Sequence, residues 1–128
     1  MPISDLQDVA RTDAEARFLE ALLHLQPELD VWRHETAEGH PWLIVSMDFV
    51  EGGSVRDTLR LDFDGRAIRG GWSPGLLNWD DGVPAQEAGV DVGPPDGIEI
   101  EQGAPAELAA VAASWFARHV RQWKSSPR

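Results

Sequence analysis

The residues Gly71-Trp72-Ser73-Pro74-Gly75 spell a literal G-x-S-x-G, and Asp91 or Asp96 and then His119 follow in the order nucleophile, acid, base. Read as chemistry, that order offers a serine hydroxyl, a histidine to take its proton and a carboxylate to orient the histidine. The local residues argue against it. A nucleophile elbow runs straight from a strand into a helix, whereas Pro74-Gly75-Leu76 leads into more loop. The oxyanion hole draws on the backbone N–H of the residue after the serine, and here that residue is Pro74, which has none. The motif therefore designates no catalytic residue.

Metal chemistry fares no better. His34 and His40 flank a hairpin connection, and Asn78, Asp80, Asp81 and Glu87 gather in one loop, but no H-E-x-x-H or equivalent zinc spacing occurs. Neither Asp62-Phe63-Asp64-Gly65 nor Asn78-Trp79-Asp80-Asp81-Gly82 fits the ligand spacing of a calcium-binding EF-hand loop. Asp80 and Asp81 are adjacent, so in an extended chain they point to opposite sides and cannot both face one substrate. His119 falls on the apolar side of a helical pattern, the place of a hydrogen-bonded core histidine, and His24 sits where a cation favours a helix C-terminus. There is no phosphate-cradling G-x-x-x-x-G-K-[ST]. No metal ligand and no cofactor is expected.

What remains is recognition. The stretch Gly70 to Gly82 concentrates glycines, two tryptophans and two adjacent carboxylates. An aromatic wall with acids beside it can hold a cation, an arginine or a sugar face. The binding candidates are Trp72, Asn78, Trp79, Asp80 and Asp81. The competing expectation is that Trp72 and Trp79 fold back to close the open end of a sheet.

Charge points the same way. The net charge is −11, and residues 70–117 hold eight acids with no Lys or Arg, whereas residues 118–128 hold four bases and no acid. Such a field repels a nucleic-acid backbone, whose binding requires clustered cations, and steers in a basic partner. Acidity also serves plain solubility. With no cysteine, disulfides, thiolate metal sites and thiol nucleophiles are excluded. Met1-Pro2-Ile3-Ser4-Asp5 lacks the features of a secretory signal, and no apolar run reaches the ~20 residues of a membrane helix, so a cytoplasmic protein without membrane contact is expected.

The elements that must position these residues follow from periodicity. Thr12-Asp13-Ala14-Glu15 has the T-x-x-E form of a capping box, and Phe18, Leu22 and Leu25 recur at helical spacing up to Pro27, which predicts a helix over 12–26. A shorter helix over 4–10 follows from Ser4-Asp5-Leu6-Gln7. Residues 29–36 and 42–50 read as strands joined through Glu38-Gly39-His40-Pro41, the second apolar on both faces and therefore interior to a sheet. Residues 55–63 alternate as a half-buried strand with a solvated outer face. Asp64-Gly65 predicts a two-residue type I′ hairpin that sets Leu61 opposite Ile68 and Arg60 opposite Arg69, a like-charge pair needing an acid such as Asp48 or Asp62 nearby. From Trp72 to Gln102 the only regular element in view is a short strand at Ile98-Glu99-Ile100. Pro105, Glu107 and a stripe of Leu108, Val111, Ala112, Trp115, Phe116, His119, Val120 and Trp123 predict a second helix over 105–123.

These elements compose an α+β fold in a single domain, 1–128: an N-terminal helix, an antiparallel meander of four to five strands and a C-terminal helix on one sheet face. In size and charge the build is similar to many bacterial immunity, antitoxin and secretion-chaperone proteins, a likeness that carries no residues with it. The expected function is a non-enzymatic acidic protein-binding domain, immunity-like or chaperone-like, that recognises a basic protein. The alternatives are a small-molecule-binding or small enzymatic domain with a pocket lined by Trp72 and Trp79, and a homodimer built on a sheet face or on the Trp-bearing helix.

Overall fold

Thr12 opens helix α1 (Asp13–Leu25) as its neighbours require. Its hydroxyl accepts the Glu15 N–H at 3.1 Å while Glu15 Oε1 accepts the Thr12 N–H at 3.2 Å, a complete capping box. The computed structural model describes residues 10, 12–34, 42–73, 92, 93 and 95–125. The expected helix over 4–10 and the connection through Glu38-Gly39-His40-Pro41 lie outside them. After α1 come β1 (Asp30–His34), β2 (Trp42–Glu51), β3 (Ser54–Phe63), β4 (Ile68–Ser73), β5 (Ile98–Ile100) and α2 (Pro105–Ser125). The strands form one antiparallel sheet in chain order, β1-β2-β3-β4-β5, so the architecture is the expected α+β meander.

Both helices cover one face of that sheet. Strand alternation sends Leu43, Val45, Met47 and Phe49 of β2, and Leu59, Leu61 and Phe63 of β3, toward Phe18, Leu19 and Leu22 of α1 and Leu108, Ala112, Trp115 and Phe116 of α2. Phe18 stacks flat on Phe63 with ring centroids 4.1 Å apart, pinning α1 to the end of the middle strand β3. The buried stripe of α2 is rotated from the expected one. Ala109 and Ala113 are buried and Val111 is exposed, because α1 packs against α2 and small side chains let the two backbones approach. Gln26 at the end of α1 reaches across that contact, its Nε2 lying 3.5 Å from the Ala113 carbonyl.

One hairpin, at Asp64-Gly65, is corrected in turn type and in register. The two-residue turn with positive φ at both central positions is Gly52-Gly53 (φ 62° and 83°), which joins Glu51 to Ser54. At Asp64-Gly65 the connection is longer. Asp64 Oδ1 accepts the N–H groups of Arg66 and Ala67 at 3.0 and 2.8 Å, and that side-chain turn replaces the type I′ geometry. The register moves by two residues: Phe63 pairs with Ile68, Asp62 with Arg69, Leu61 with Gly70 and Arg60 with Gly71. The shift preserves which face each side chain takes and removes the like-charge pair.

The second sheet face is not the solvated surface that alternation in β3 suggests. Ile44, Ser46, Thr58 and Arg60 are all buried there. The Arg60 side chain keeps 1% of its surface in water and its guanidinium forks onto Asp62, with Nε to Oδ1 at 2.8 Å and Nη2 to Oδ2 at 3.0 Å. The acid that supports Arg60 is thus Asp62, while the Thr58 hydroxyl donates to Asp48 at 2.8 Å.

Asp30, opposite Ser46 on the edge strand, has its carboxyl held above the ordinary value of 3.8, first by partial removal from water and then by the Asp48 charge. A raised folded-state value means that the native state gains protons relative to the unfolded chain. The ionised form therefore costs stability at neutral pH, and the cost vanishes as pH falls to the ordinary value. Asp30→Asn is expected to raise the unfolding free energy at pH 7 by a few tenths of a kcal/mol, the scale of an exposed charge, and to leave it unchanged near pH 3. A larger effect at acid than at neutral pH in paired thermal melts would contradict the assignment.

Candidate functional site

Gly70 and Gly71, which read as the end of the strand-like region, lie inside β4 instead, and the strand continues through Trp72 to Ser73. Glycine carries no strand signal of its own, so periodicity stops short of them. Gly70 is where the rigid indole of Trp115 lands. A methyl group at this position would sit 2.8 Å from Trp115 Cη2, 3.0 Å from Ile98 Cγ2 and 3.1 Å from the Arg60 carbonyl. The absent side chain is what lets α2 lie close to the sheet at this point.

Two residues further on, Trp72 faces the same helix. Its ring meets Phe49 edge-on at 5.5 Å and His119 at 5.3 Å, and His119 in turn meets Trp115 at 5.2 Å. Phe49 also contacts Trp123 at 5.2 Å. Contacts of this kind contribute about 0.5–1.5 kcal/mol each beyond the area they bury. The polar tips of three of these rings converge on one residue. Trp72 Nε1 donates to Asp96 Oδ2 at 3.2 Å, Trp115 Nε1 donates to the Asp96 main-chain carbonyl at 2.8 Å, and His119 Nε2 lies 2.9 Å from the same carbonyl. A carbonyl can only accept, so the proton of the His119 ring sits on Nε2 in this contact. Arg118 adds a donor to the Pro95 carbonyl at 3.2 Å, and the turn closes on itself through Gly97 N–H to the Gly93 carbonyl at 2.9 Å.

This arrangement gives the candidate residues their places. Trp72 is half-buried within β4, opposite Leu59, and its ring is spent on Phe49, His119 and Asp96. Asn78, Trp79, Asp80 and Asp81 lie outside the described residues, as does Asp91. His119 is the buried, hydrogen-bonded histidine that its helix position implies, 2% exposed. The Asp96 carboxylate takes the Trp72 N–H, and His119 is on the main-chain oxygen; in a hydrolase triad the carboxylate would take the histidine proton. What sequence spacing did not show is the role of Asp96. Trp115 and His119 are visible as a pair four apart on one helix face, but nothing local links them to a turn some twenty residues upstream.

The described surface also holds a shallow groove of about 350 Å³ between the Asp64–Ala67 turn and β5, lined by Asp64, Arg66, Arg69, Glu99, Glu101 and Gln102. Arg69 in its wall is matched within the protein: its Nε lies 3.0 Å from Glu99 Oε2, and it stands opposite Asp62 in the β3–β4 register. Among the described residues no group of three or more His, Asp or Glu side chains is placed to hold a metal ion, and no helix is long and apolar enough to cross a membrane. No family model matches the chain, and no curated protein or solved structure matches it.

Proposed function

We propose that the protein is a non-enzymatic acidic binding domain that captures a basic protein partner, in the manner of an immunity-like or chaperone-like neutraliser. One observation carries the reading: residues 70–117 contain eight acids and no Lys or Arg. Within the described part of that span Glu99, Glu101 and Glu107 stand exposed, and only Glu99 is matched by a cation in an ion pair of the described structure, Arg69 from outside the span. A surface of one sign raises the encounter rate with an opposite charge and rejects like-charged competitors. Since Trp72 is taken up by its neighbours in the fold, recognition on this reading rests on Asn78, Trp79, Asp80 and Asp81. A small-molecule pocket between Trp72 and Trp79 would have to share a ring already held by Phe49, His119 and Asp96.

The test uses a fluorescent oligoarginine peptide as the basic probe. Binding should weaken steeply as salt rises. Asp80→Lys with Asp81→Lys should weaken it about tenfold, equivalent to roughly 1.4 kcal/mol. The charge-matched control Glu20→Lys with Glu28→Lys, on the exposed side of α1 and just beyond its end, should change it far less. Equal losses in the two double variants would reduce the effect to net charge and sink the assignment of a site.

A further inference from the structure

Asp96 joins the two ends of the connection between β4 and β5, which carries the recognition residues. Its carboxylate takes the indole N–H of Trp72 in β4, just before that connection begins, while Asp96 itself lies at its far end, just before β5. The main-chain oxygen of the same residue is held by Trp115 and His119 from α2, and the adjacent Pro95 carbonyl by Arg118. One residue thus ties strand, returning loop and helix together, through donors that are themselves packed: Trp115 is 5% and His119 2% exposed. We infer that Asp96 is a positioning residue for the recognition segment. It acts through its hydrogen bonds to fix where that segment leaves and rejoins the sheet, and not by offering its charge to the partner. This inference rests on the proposed function for its consequence in binding, but its mechanical part stands alone.

The distinction between charge and hydrogen bond can be read directly. Asn at position 96 keeps an oxygen that can accept the Trp72 N–H and removes the charge. Ala removes both. Trp72→Phe removes the donor from the other side and keeps an aromatic ring against Phe49 and His119. Chymotrypsin, which cuts after Leu and aromatic residues, can act at Leu76, Leu77 and Trp79, where trypsin has no target because residues 70–117 lack Lys and Arg. Asp96→Ala and Trp72→Phe should each raise the rate of cleavage at those positions about fivefold, the weight of one ordinary hydrogen bond in a local opening equilibrium. Asp96→Asn should stay near the wild-type rate. Oligoarginine binding should follow the same order, weakened in the Ala and Phe variants and kept in Asn.

Wild-type cleavage rates in both Asp96→Ala and Trp72→Phe would overturn the inference. So would an Asn variant as loose as the Ala variant, since that would assign the effect to the charge. If oligoarginine fails to bind even the wild-type protein, the proposed function falls, while the cleavage rates still decide the role of Asp96.

Discussion

Asp62→Ala is expected to cost the fold about 3 kcal/mol, the low end of the range for removing one partner from a buried ion pair. The low end applies because the Asp62 side chain keeps 24% of its surface in water, whereas Arg60 keeps 1%. The substitution strips a nearly fully buried guanidinium of its two-point acceptor. The converse change should be milder. Arg60→Met fills much of the same space without a charge to desolvate, so its cost should be about 1–2 kcal/mol, leaving Asp62 close enough to water to stay solvated. Denaturant midpoints for the two single variants check this. If Arg60→Met proved the more damaging of the two, Arg60 would be held mainly by its other contacts and not by Asp62.

The second large effect is a coupling. Gly70→Ala should destabilise by about 2–3 kcal/mol, since the new methyl meets the far edge of an indole, a branched side chain and a backbone carbonyl, none of which can swing aside. Trp115→Phe removes the atom that makes the closest of those approaches. In that background Gly70→Ala should cost about 1 kcal/mol less than in the wild type, because the Ile98 and Arg60 contacts remain. Additive costs in the double-mutant cycle would mean that Trp115 does not limit the space at Gly70.

How legible these features were depends on how local their causes are. The Thr12 capping box and the Pro105 start were plain because cap and helix lie within a few residues of each other. The strands of the meander were plain where Val, Ile, Leu and Phe alternate, and even the three-residue β5 showed in Ile98-Glu99-Ile100. The hairpin register differs by two because one side chain, Asp64, accepts the backbone N–H groups of Arg66 and Ala67 and closes a longer turn than Asp-Gly alone would make. The burial of Arg60 could not be read from β3, since alternation says which face a residue takes and nothing about what covers that face. The candidate site was legible in part. The Trp72 ring and the His119 position were marked by residue type and helical spacing, but their meeting at Asp96 depends on β4 and α2 being brought together by the core.

The strand order has a consequence in chain entropy. β2 and β3 are joined by the two residues Gly52-Gly53, while β4 and β5 must be brought together across residues 74–97. By ideal-chain scaling each doubling of a loop adds about 0.6 kcal/mol to its closure, so the β4–β5 connection costs about 2 kcal/mol more than the Gly52-Gly53 turn. The ladder it closes has only three register pairs, Ile68 with Ile100, Arg69 with Glu99 and Gly70 with Ile98. Hydrogen bonds of net weight near 1 kcal/mol apiece leave little margin in so short a ladder. The donors gathered on Pro95 and Asp96, from Trp72 in β4 and from Trp115, Arg118 and His119 in α2, lie at the entry to that ladder, so part of what offsets the closure cost of β5 is supplied by the helix and not by the strand pairing itself.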